Sequence, residues 1–355
     1  MKTFNIAIIA GDGIGKEVVP EGRRVLEAAA SKFGFRFDWR CFDWSCETYL
    51  TTGRMMPVDG LDQLRAFDAI YLGAVGRPDV PDHISLWGLL IPIRRSFRQY
   101  VNLRPVRLFA GIETPLRNRH PNEINFTIIR ENNEGEYSNV GGRIYEGTED
   151  ETVVQQSIFT RRGVDRVIRF AFELARQQKK HVTSVTKSNG IIHTMPFWDE
   201  RFRTIASEYP DVRTDQYHID ILTAHFVRHP DWFDVVVGSN LFGDILSDLG
   251  PAVAGSIGMA PSANLNPERD FPSMFEPVHG SAPDIAGKGI ANPIGQIWSG
   301  ALMLRHLGAI EAADAIEGAI ATTLAEGIVR TPDIGGNAST ADLGEAIAAQ
   351  VTASK

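Results

Sequence analysis

Two carboxylates near residue 245 have a spacing that could hold a metal ion. Asp244 and Asp248 lie in the segment NLFGDILSDLG, which follows an apolar run at 235–237 that is typical of a buried strand. On a helix, a separation of four residues places both side chains on one face, about one turn apart. Apolar neighbours make two unpaired negative charges costly, and a divalent cation would relieve that cost. Oxygen ligands favour Mg²⁺ or Mn²⁺, although a solvated helix face also explains an isolated pair of this kind.

A second group of chemically capable residues is rich in arginine and is embedded among apolar and aromatic side chains. Residues 84–108 carry Arg94, Arg95, Arg98, Arg104 and Arg107. The spacing predicts that Arg94 and Arg98 share a helix face, and Pro105 predicts an extended conformation at Arg104. The planar guanidinium fork matches carboxylates, so these side chains are expected to bind an anion or a buried acid. A solvated basic face is the alternative.

Further polar residues follow predicted strands, where α/β proteins place their sites. Arg130 and Tyr137 lie at and beyond the end of a strand predicted at 124–129, and Lys187 follows one predicted at 181–186. The position of Lys187 is equally compatible with a surface loop. Asp220 begins a helix, and taken alone it is predicted to be the N-cap rather than a third metal ligand.

The elements that must position these residues alternate between strands and helices, which predicts a mostly parallel sheet. The GDGIG turn lacks the GxGxxG pattern of dinucleotide-binding folds, and we interpret it as a tight strand-to-helix turn rather than a phosphate cradle. Residues 139–157 are predicted to form an excursion or hairpin arm, and the segment from Phe271 a long Gly/Pro-rich loop. The predicted strands are 4–10, 35–42, 68–72, 124–129, 181–186, 212–219 and 235–237. The predicted helices are 14–32, 160–178, 292–306, 309–326 and 341–350.

Composition limits the classes of function. A chain of 355 residues suggests two domains or lobes, and its 43% hydrophobic and 23% charged residues are ordinary for a globular protein. The net charge of −8 argues against nucleic-acid binding. The two cysteines, Cys41 and Cys46, form neither a zinc motif nor a disulfide framework, so a reducing cytoplasm is expected. Neither a signal peptide nor a membrane segment is expected.

Several motifs occur together in a fixed order along the chain. They are GDGIGKE, IRRS with NLRP, IIREN with GEYS, VTKSN, HID, NLFGDILSDLG and EPVHGSAPDIAGKGIANP. This series resembles the metal-dependent β-decarboxylating dehydrogenases, which include isopropylmalate and isocitrate dehydrogenases, over essentially the whole chain. The resemblance implies an α/β, two-lobed fold with mixed sheets flanked by helices, different from a standard Rossmann domain. It assigns 1–101 and 255–355 to a cofactor-binding lobe, and 102–254 to a substrate and dimerisation lobe with an intersubunit arm near 139–157.

The same resemblance implies roles for individual residues in a homodimer with shared active sites. The expected substrate-binding residues are Arg94, Arg104 and Arg130. The expected acid–base pair is Tyr137 and Lys187, and the expected metal ligands are Asp220, Asp244 and Asp248. In the family, the lysine and the first aspartate come from the partner subunit. The expected cofactor-binding residues are Glu276, His279, Gly280, Ser281, Ala282, Asp284 and Asn292.

Cofactor and substrate preferences are also implied by the resemblance. Asp284 stands where NADP-using relatives have Lys, and its charge would repel a 2′-phosphate, so NAD is favoured. Activation by K⁺ is a further expectation. The segments VPDHISLWG and RENNEGEYS are similar to the D-malate/tartrate branch, and Trp87 could fill the space that an isopropyl group needs. D-malate or tartrate therefore ranks ahead of isopropylmalate. A metal-dependent hydrolase is the alternative from a different class, and a non-catalytic NAD-binding protein is weaker still.

Overall fold

The computed structural model describes residues 1–353 as alternating strands and helices. The strands are β1 Lys2–Gly11, β2 Phe35–Cys41, β3 Ala69–Ala74, β4 Val101–Arg107, β5 Asn125–Glu131, β6 Gly141–Ile144, β7 Thr152–Gln155, β8 His181–Thr186, β9 Arg213–His218, β10 Val235–Gly238, β11 Pro261–Leu265 and β12 Ser273–Pro277. The helices are α1 Gly15–Phe33, α2 Cys46–Thr52, α3 Gly60–Leu64, α4 Asp82–Ser85, α5 Ile91–Ser96, α6 Arg161–Arg176, α7 Thr194–Ala206, α8 Ile219–Arg228, α9 Asn240–Val253, α10 Ile294–His306, α11 Ile310–Glu326 and α12 Thr340–Ala353.

Ten strands form one mixed sheet in the order β2-β1-β3-β12-β11-β4-β5-β10-β8-β9. Strand β11 runs antiparallel to β12 and β4, and β4 runs antiparallel to β5, while the other pairs are parallel. The predicted mostly parallel, mixed sheet is therefore confirmed. The prediction of a continuous loop from Phe271 is wrong over 273–277, because that segment is β12 and pairs with β3, far away in sequence.

The two chain ends build one half of the molecule. Helix α1 packs against α10 and α12, and their buried side chains join one apolar core. The predicted lobes meet where β11 pairs with β4, within one continuous sheet. The bounds of the two lobes remain a prediction.

The GDGIG segment is the turn that the sequence predicts between β1 and α1. A side chain at Gly15 would place its Cβ 2.3 Å from the carbonyl oxygen of Ala10, so only glycine fits this close approach. The carboxylate of Asp12 accepts hydrogen bonds from the backbone N–H groups of Cys46 and Gly76, at 3.0 and 3.1 Å. The turn thereby holds the loops that follow β2 and β3.

The predicted arm at 139–157 is a hairpin, because β6 and β7 pair antiparallel and apart from the large sheet. Apolar side chains on it are exposed, including Ile144, Tyr145 and Val153. Its role between subunits stays a prediction. Within the described residues, every helix is too short or too polar to traverse a lipid bilayer.

Candidate active site

Four parallel strands bring most of the predicted catalytic residues to one edge of the sheet. Strands β5, β10, β8 and β9 are neighbours in that order, and their carboxyl ends lie on the same side. Arg130 lies near the end of β5, Lys187 directly follows β8, and α9 follows β10. Arg130 and the aspartates of α9 therefore belong to β5 and β10, whereas Lys187 and Asp220 follow β8 and β9.

Asp244 on α9 is the point on which three predicted site residues converge. The hydroxyl of Tyr137 donates to its Oδ2 at 2.7 Å, Arg130 forms a close ion pair with its Oδ1, and Arg104 lies 3.4 Å from the same oxygen. Burial opposes ionisation of Asp244, but the charges of Arg130 and Arg104 outweigh it, and the pKa of Asp244 is lowered. The carboxylate is therefore ionised at neutral pH.

The phenol of Tyr137 is held in its protonated form. Burial and the hydrogen bond to Asp244 raise the pKa of Tyr137 to about 12. The guanidinium of Arg130 lies 5.2 Å from the centre of the tyrosine ring. A group with these surroundings can donate a proton and leave its negative charge beside a fixed cation.

Two residues that the sequence analysis did not single out place α9 against these groups. The carboxylate of Glu136 accepts hydrogen bonds from Ser239 Oγ at 2.8 Å and Leu241 N at 3.0 Å, so it caps the start of α9. Gly243 lets Arg130 lie against the helix, because an added Cβ would approach the Cβ of Arg130 to 2.6 Å. Glu136 lies in the GEYS motif, yet its partner is about 100 residues away and only the fold reveals it.

Arg94 is buried at the same site but pairs with a different acid. Its Nη2 donates to Glu276 Oε1 at 2.8 Å, and both side chains are only 9% exposed. Asn264 Nδ2 donates to the same carboxylate oxygen at 2.7 Å. Since Glu276 lies on β12, just before the predicted cofactor loop, this contact joins the predicted substrate clamp to that loop.

Arg98 does not share a helix face with Arg94, so that prediction is wrong. Helix α5 ends at Ser96, and Arg98 has a left-handed backbone with φ of 49°. Its exposed side chain lies over the ring of Phe271.

Lys187 and Asp220 form a second, separate group. They make an ion pair of 2.8 Å, and the side chains are 30% and 67% exposed. The N-cap prediction for Asp220 is wrong, because His218 occupies the cap position and Asp220 is the second residue of α8. Within residues 1–353, no three His, Cys, Asp or Glu side chains lie close enough together for a complete metal site. One chain therefore presents two partial groups.

The predicted cofactor loop is fastened to the start of α1. Ile14 N donates to the carbonyl of Ser281 at 2.9 Å, and the carboxylate of Glu17 accepts from Gly287 N and Gly289 N. The loop is sharply bent at Ala282, where φ is 41°.

The other predicted cofactor residues differ in whether their polar atoms already have hydrogen-bond partners within the chain. Nδ1 of His279 faces the carbonyl of Gly280 at 3.0 Å, and Nε2 is buried without a partner in the described chain. Burial lowers the pKa of His279, so the ring is neutral, with Nδ1 the donor and Nε2 an acceptor. Asp284 and Gly280 are exposed. The amide of Asn292 is already engaged, accepting from Ile294 N and donating to Asp333.

The residues present fit both groups that the resemblance implies. Asp244 and Asp248 lie one turn apart on α9 and offer only oxygen, and the side chain of Asp248 is 66% exposed. The orphaned Nε2 of His279 and the exposed carboxylate of Asp284 suit the donor groups of an adenosine. The loop and the acidic helix can therefore serve a nucleotide and a divalent cation.

Comparison with known proteins shows the family. The model of the isocitrate/isopropylmalate dehydrogenase family matches residues 5–347, so the chain belongs to this family of decarboxylating dehydrogenases. Enzymes of the family use NAD and a divalent metal in general. The fold agrees, because the crystal structure of isocitrate dehydrogenase from Methylococcus capsulatus superimposes with a TM-score of 0.89 at 35% identity, covering 98% of this chain and 99% of that one.

Among curated relatives, D-malate dehydrogenase [decarboxylating] of Escherichia coli K12 is 61% identical over 98% of both chains. Tartrate dehydrogenase/decarboxylase of Pseudomonas putida is 60% identical over 97% of both. A probable tartrate dehydrogenase/decarboxylase of Bacillus subtilis is 55% identical over 99% of both.

Proposed function

We propose that this protein oxidises a small 2-hydroxy diacid with NAD. D-malate would give pyruvate and CO₂, and tartrate would be oxidised or decarboxylated. The observation that carries the proposal is the convergence of Arg104, Arg130 and Tyr137 on Asp244. The names of the 60% and 61% identical relatives support the choice of substrates. They favour these diacids over isopropylmalate, and they favour a dehydrogenase over a hydrolase.

The arginines give the site its selectivity for dianions. Arg94, Arg104 and Arg130 are buried, and Asp244 and Glu276 neutralise only part of their charge. A substrate with two carboxylates would supply the missing negative charge through bidentate hydrogen bonds. A monocarboxylate would make only one such set of hydrogen bonds and is expected to bind more weakly.

Each active site is proposed to draw on two subunits. Asp244 and Asp248 of one subunit would hold Mn²⁺ or Mg²⁺ together with Asp220 of the other, and Lys187 would arrive with Asp220. The separation of these two groups within one chain supports this arrangement. The exposed apolar hairpin β6–β7 is the proposed arm between the subunits.

When bound, the metal polarises the C2 hydroxyl and the nicotinamide accepts the hydride. The protein's own residues move two protons. In the assembled site Asp220 would face the metal instead of Lys187, and nearby positive charge would keep Lys187 neutral. Its Nζ then accepts the proton of the C2 hydroxyl as the alcohol is oxidised, and the arginine clamps hold the carboxylates in place as CO₂ leaves. Loss of CO₂ leaves an enolate; the O–H bond of Tyr137 then breaks as a C–H bond forms at C3, and the enolate oxygen becomes the C2 carbonyl of pyruvate. Arg130, whose guanidinium lies 5.2 Å from the centre of the tyrosine ring, would offset part of the charge left on the phenol.

The cofactor is proposed to be NAD rather than NADP. Asp284 is exposed on the loop, where its carboxylate would accept hydrogen bonds from ribose hydroxyls and repel a 2′-phosphate. The proposal also includes K⁺ as an activator, a homodimer and a cytoplasmic location.

One assay tests the proposal. The protein is incubated with Mn²⁺, K⁺ and NAD⁺ or NADP⁺, and with D-malate, each tartrate isomer, isopropylmalate or isocitrate, while NADH and CO₂ are measured. We expect NADH from D-malate and tartrate, with stoichiometric CO₂ from D-malate. Preferred turnover of isopropylmalate or isocitrate, or metal-dependent turnover without NAD⁺, would overturn it.

A further inference from the structure

Arg95 lies next to the clamp residue Arg94 but reaches another part of the site. Its Nη2 donates to the backbone carbonyl oxygen of Tyr137 at 2.6 Å. Its guanidinium lies 4.9 Å from the centre of the ring of Trp87. Arg95 therefore ties the main chain at the proton donor to the segment that precedes the substrate clamp.

The local backbone brings Trp87 and Arg95 to one side. In an uninterrupted α-helix, residues eight apart lie about 80° away from a common face. Here residues 86–90 form a π-helical turn between α4 and α5, which winds less per residue and reduces that offset. The π turn thus places the indole beneath the guanidinium, where cation–π attraction holds the arginine in one orientation.

Tyr137 lies in an irregular segment after β5. Backbone hydrogen bonds between Gly135 and Ile158, and one from Gln155 Nε2 to the carbonyl oxygen of Ser138, hold the residues that flank it. Glu136, the residue before Tyr137, accepts a hydrogen bond from the start of α9, and Arg95 donates to the carbonyl oxygen of Tyr137 itself. The hydroxyl is directed to Asp244. Without Arg95, the hydroxyl keeps its partner, but the backbone that aims the ring loses its charged anchor.

We propose that Arg95, oriented by Trp87, is a positioning residue for the proton donor Tyr137 and sets the rate at which the enol product is protonated at C3. This inference rests on the proposed function and extends it from the acid to the residues that aim it. Arginine suits this position better than lysine because its planar group can face the indole and donate to a carbonyl at once, whereas a lysine ammonium can keep the hydrogen bond to the carbonyl but is a single point charge.

The test separates hydride transfer from protonation. The Arg95→Met, Arg95→Lys, Trp87→Leu and Trp87→Phe variants are compared in the presence of Mn²⁺, NAD⁺ and D-malate. The first-turnover burst of NADH reports oxidation. Ketonisation of enolpyruvate, generated from phosphoenolpyruvate by a phosphatase and followed by its ultraviolet absorbance, reports protonation alone. Arg98→Met is the matched control, because Arg98 is exposed on the same segment and contacts Phe271 instead.

We expect Arg95→Met to slow ketonisation by roughly tenfold to a hundredfold, with the NADH burst within about twofold of the wild type. Trp87→Leu should also slow ketonisation. Arg95→Lys should recover part of the ketonisation rate that Arg95→Met loses, and Trp87→Phe should retain most of the wild-type rate. Arg98→Met should leave both steps unchanged.

The proposal would be overturned if Arg95→Met ketonised enolpyruvate at the wild-type rate, or if its NADH burst fell as much as its ketonisation rate. It would also be overturned if Arg95→Lys or Arg98→Met slowed ketonisation as much as Arg95→Met does. Circular dichroism and Mn²⁺ binding check that each variant is folded. A wild type that ketonises enolpyruvate but does not oxidise D-malate would contradict the proposed substrate, and the comparison of variants would still test Arg95.

Discussion

Arg94 and Glu276 form a buried ion pair of 2.8 Å that connects the end of α5 to β12, the strand before the nucleotide loop. The two residues are 182 positions apart in the chain. If Arg94 binds a substrate carboxylate as proposed, that carboxylate would also act on the segment that is predicted to bind the cofactor. We therefore expect substrate and cofactor binding to be coupled through this contact.

Removing the acid of this pair should destabilise the protein. Glu276→Gln leaves Arg94 buried without a counter-charge, and we expect the free energy of unfolding to fall by about 3 kcal/mol. Urea denaturation measures the change. Asp79→Asn is the control, since Asp79 pairs with Arg77 at the surface at a similar distance of 2.7 Å and should have no measurable effect. Equal effects of the two substitutions would contradict the importance of burial.

Loss of the Tyr137 hydroxyl should uncouple oxidation from product formation. Tyr137→Phe is expected to form NADH in the first turnover but to make pyruvate at least about a hundredfold more slowly, because the proton donor is missing. Tyr209→Phe is matched to it, since Tyr209 also donates to a carboxylate, that of Glu173, at 2.8 Å. Pyruvate formation at the normal rate in Tyr137→Phe would exclude this tyrosine as the acid.

Two inactive variants should restore activity when they are combined. If Lys187 and Asp244 serve the same site from different subunits, a dimer of one Lys187→Met chain and one Asp244→Asn chain contains one intact site. Random pairing then predicts about a quarter of the wild-type activity after co-expression or mixed refolding. Lys187→Met and Asp244→Asn should each be inactive alone, and mixing Asp244→Asn with Asp248→Asn should give no more activity than the Asp248→Asn chains give by themselves. No recovery in the first mixture would place both residues in the site of one subunit.

The metal requirement should depend on the exposed member of the acidic pair. Asp248→Asn removes a charged oxygen ligand, and we expect the Mn²⁺ concentration for half-maximal activity to rise at least about tenfold. Direct Mn²⁺ binding, followed by electron paramagnetic resonance, should weaken in parallel. Asp62→Asn serves as the control at an 82% exposed aspartate on α3. An unchanged Mn²⁺ requirement would make Asp248 a structural residue.

His306 should make the protein less stable in acid. Burial, with a contribution from the Arg269 charge, lowers the pKa of His306 from 6.5 to about 4. Between these values the unfolded chain binds the proton and the folded chain does not, so stability is complete above pH 6.5 and is lost as the pH falls towards 4. Between about pH 7.5 and pH 4.5, we expect the free energy of unfolding of the wild type to fall by roughly 2 kcal/mol more than that of His306→Gln. Parallel pH profiles of unfolding for the two proteins would contradict this origin.

Sequence patterns located the elements that are defined by local signals. The apolar run of β10 and the spacing of Asp244 and Asp248 predicted α9 and its acidic face. The helix predicted to begin at residue 160 is α6, and Thr160 caps it by accepting from Gly163 N. Strand β12 was missed because Pro272 before it, Pro277 at its end and the glycines that follow suggest a loop, and its pairing with β3 depends on residues that are distant in the chain.

In the site, too, local motifs identified residues, whereas contacts between distant segments could not be read from the sequence. The order of the motifs led to Tyr137 and Asp244, and the fold brings them into contact. The pairing of Arg94 with Glu276, the cap that Glu136 forms on α9, and the contact of Arg95 with the Tyr137 carbonyl all join separate segments. Such contacts leave no periodicity or spacing in the sequence. Their discovery required coordinates.

The insertion of β12 between β3 and β11 has a consequence for synthesis on the ribosome. Strands β1, β2 and β3 can pair as soon as they emerge, but the edge of β3 has no partner until residues 273–277 are made. At usual elongation rates this interval is on the order of ten seconds or more, during which an unpaired strand edge is open to aggregation. The central segment, which carries β5, β10, β8 and β9, is complete earlier. The half that is proposed to bind the nucleotide is therefore finished last, and β3 keeps an unpaired edge until β12 is made.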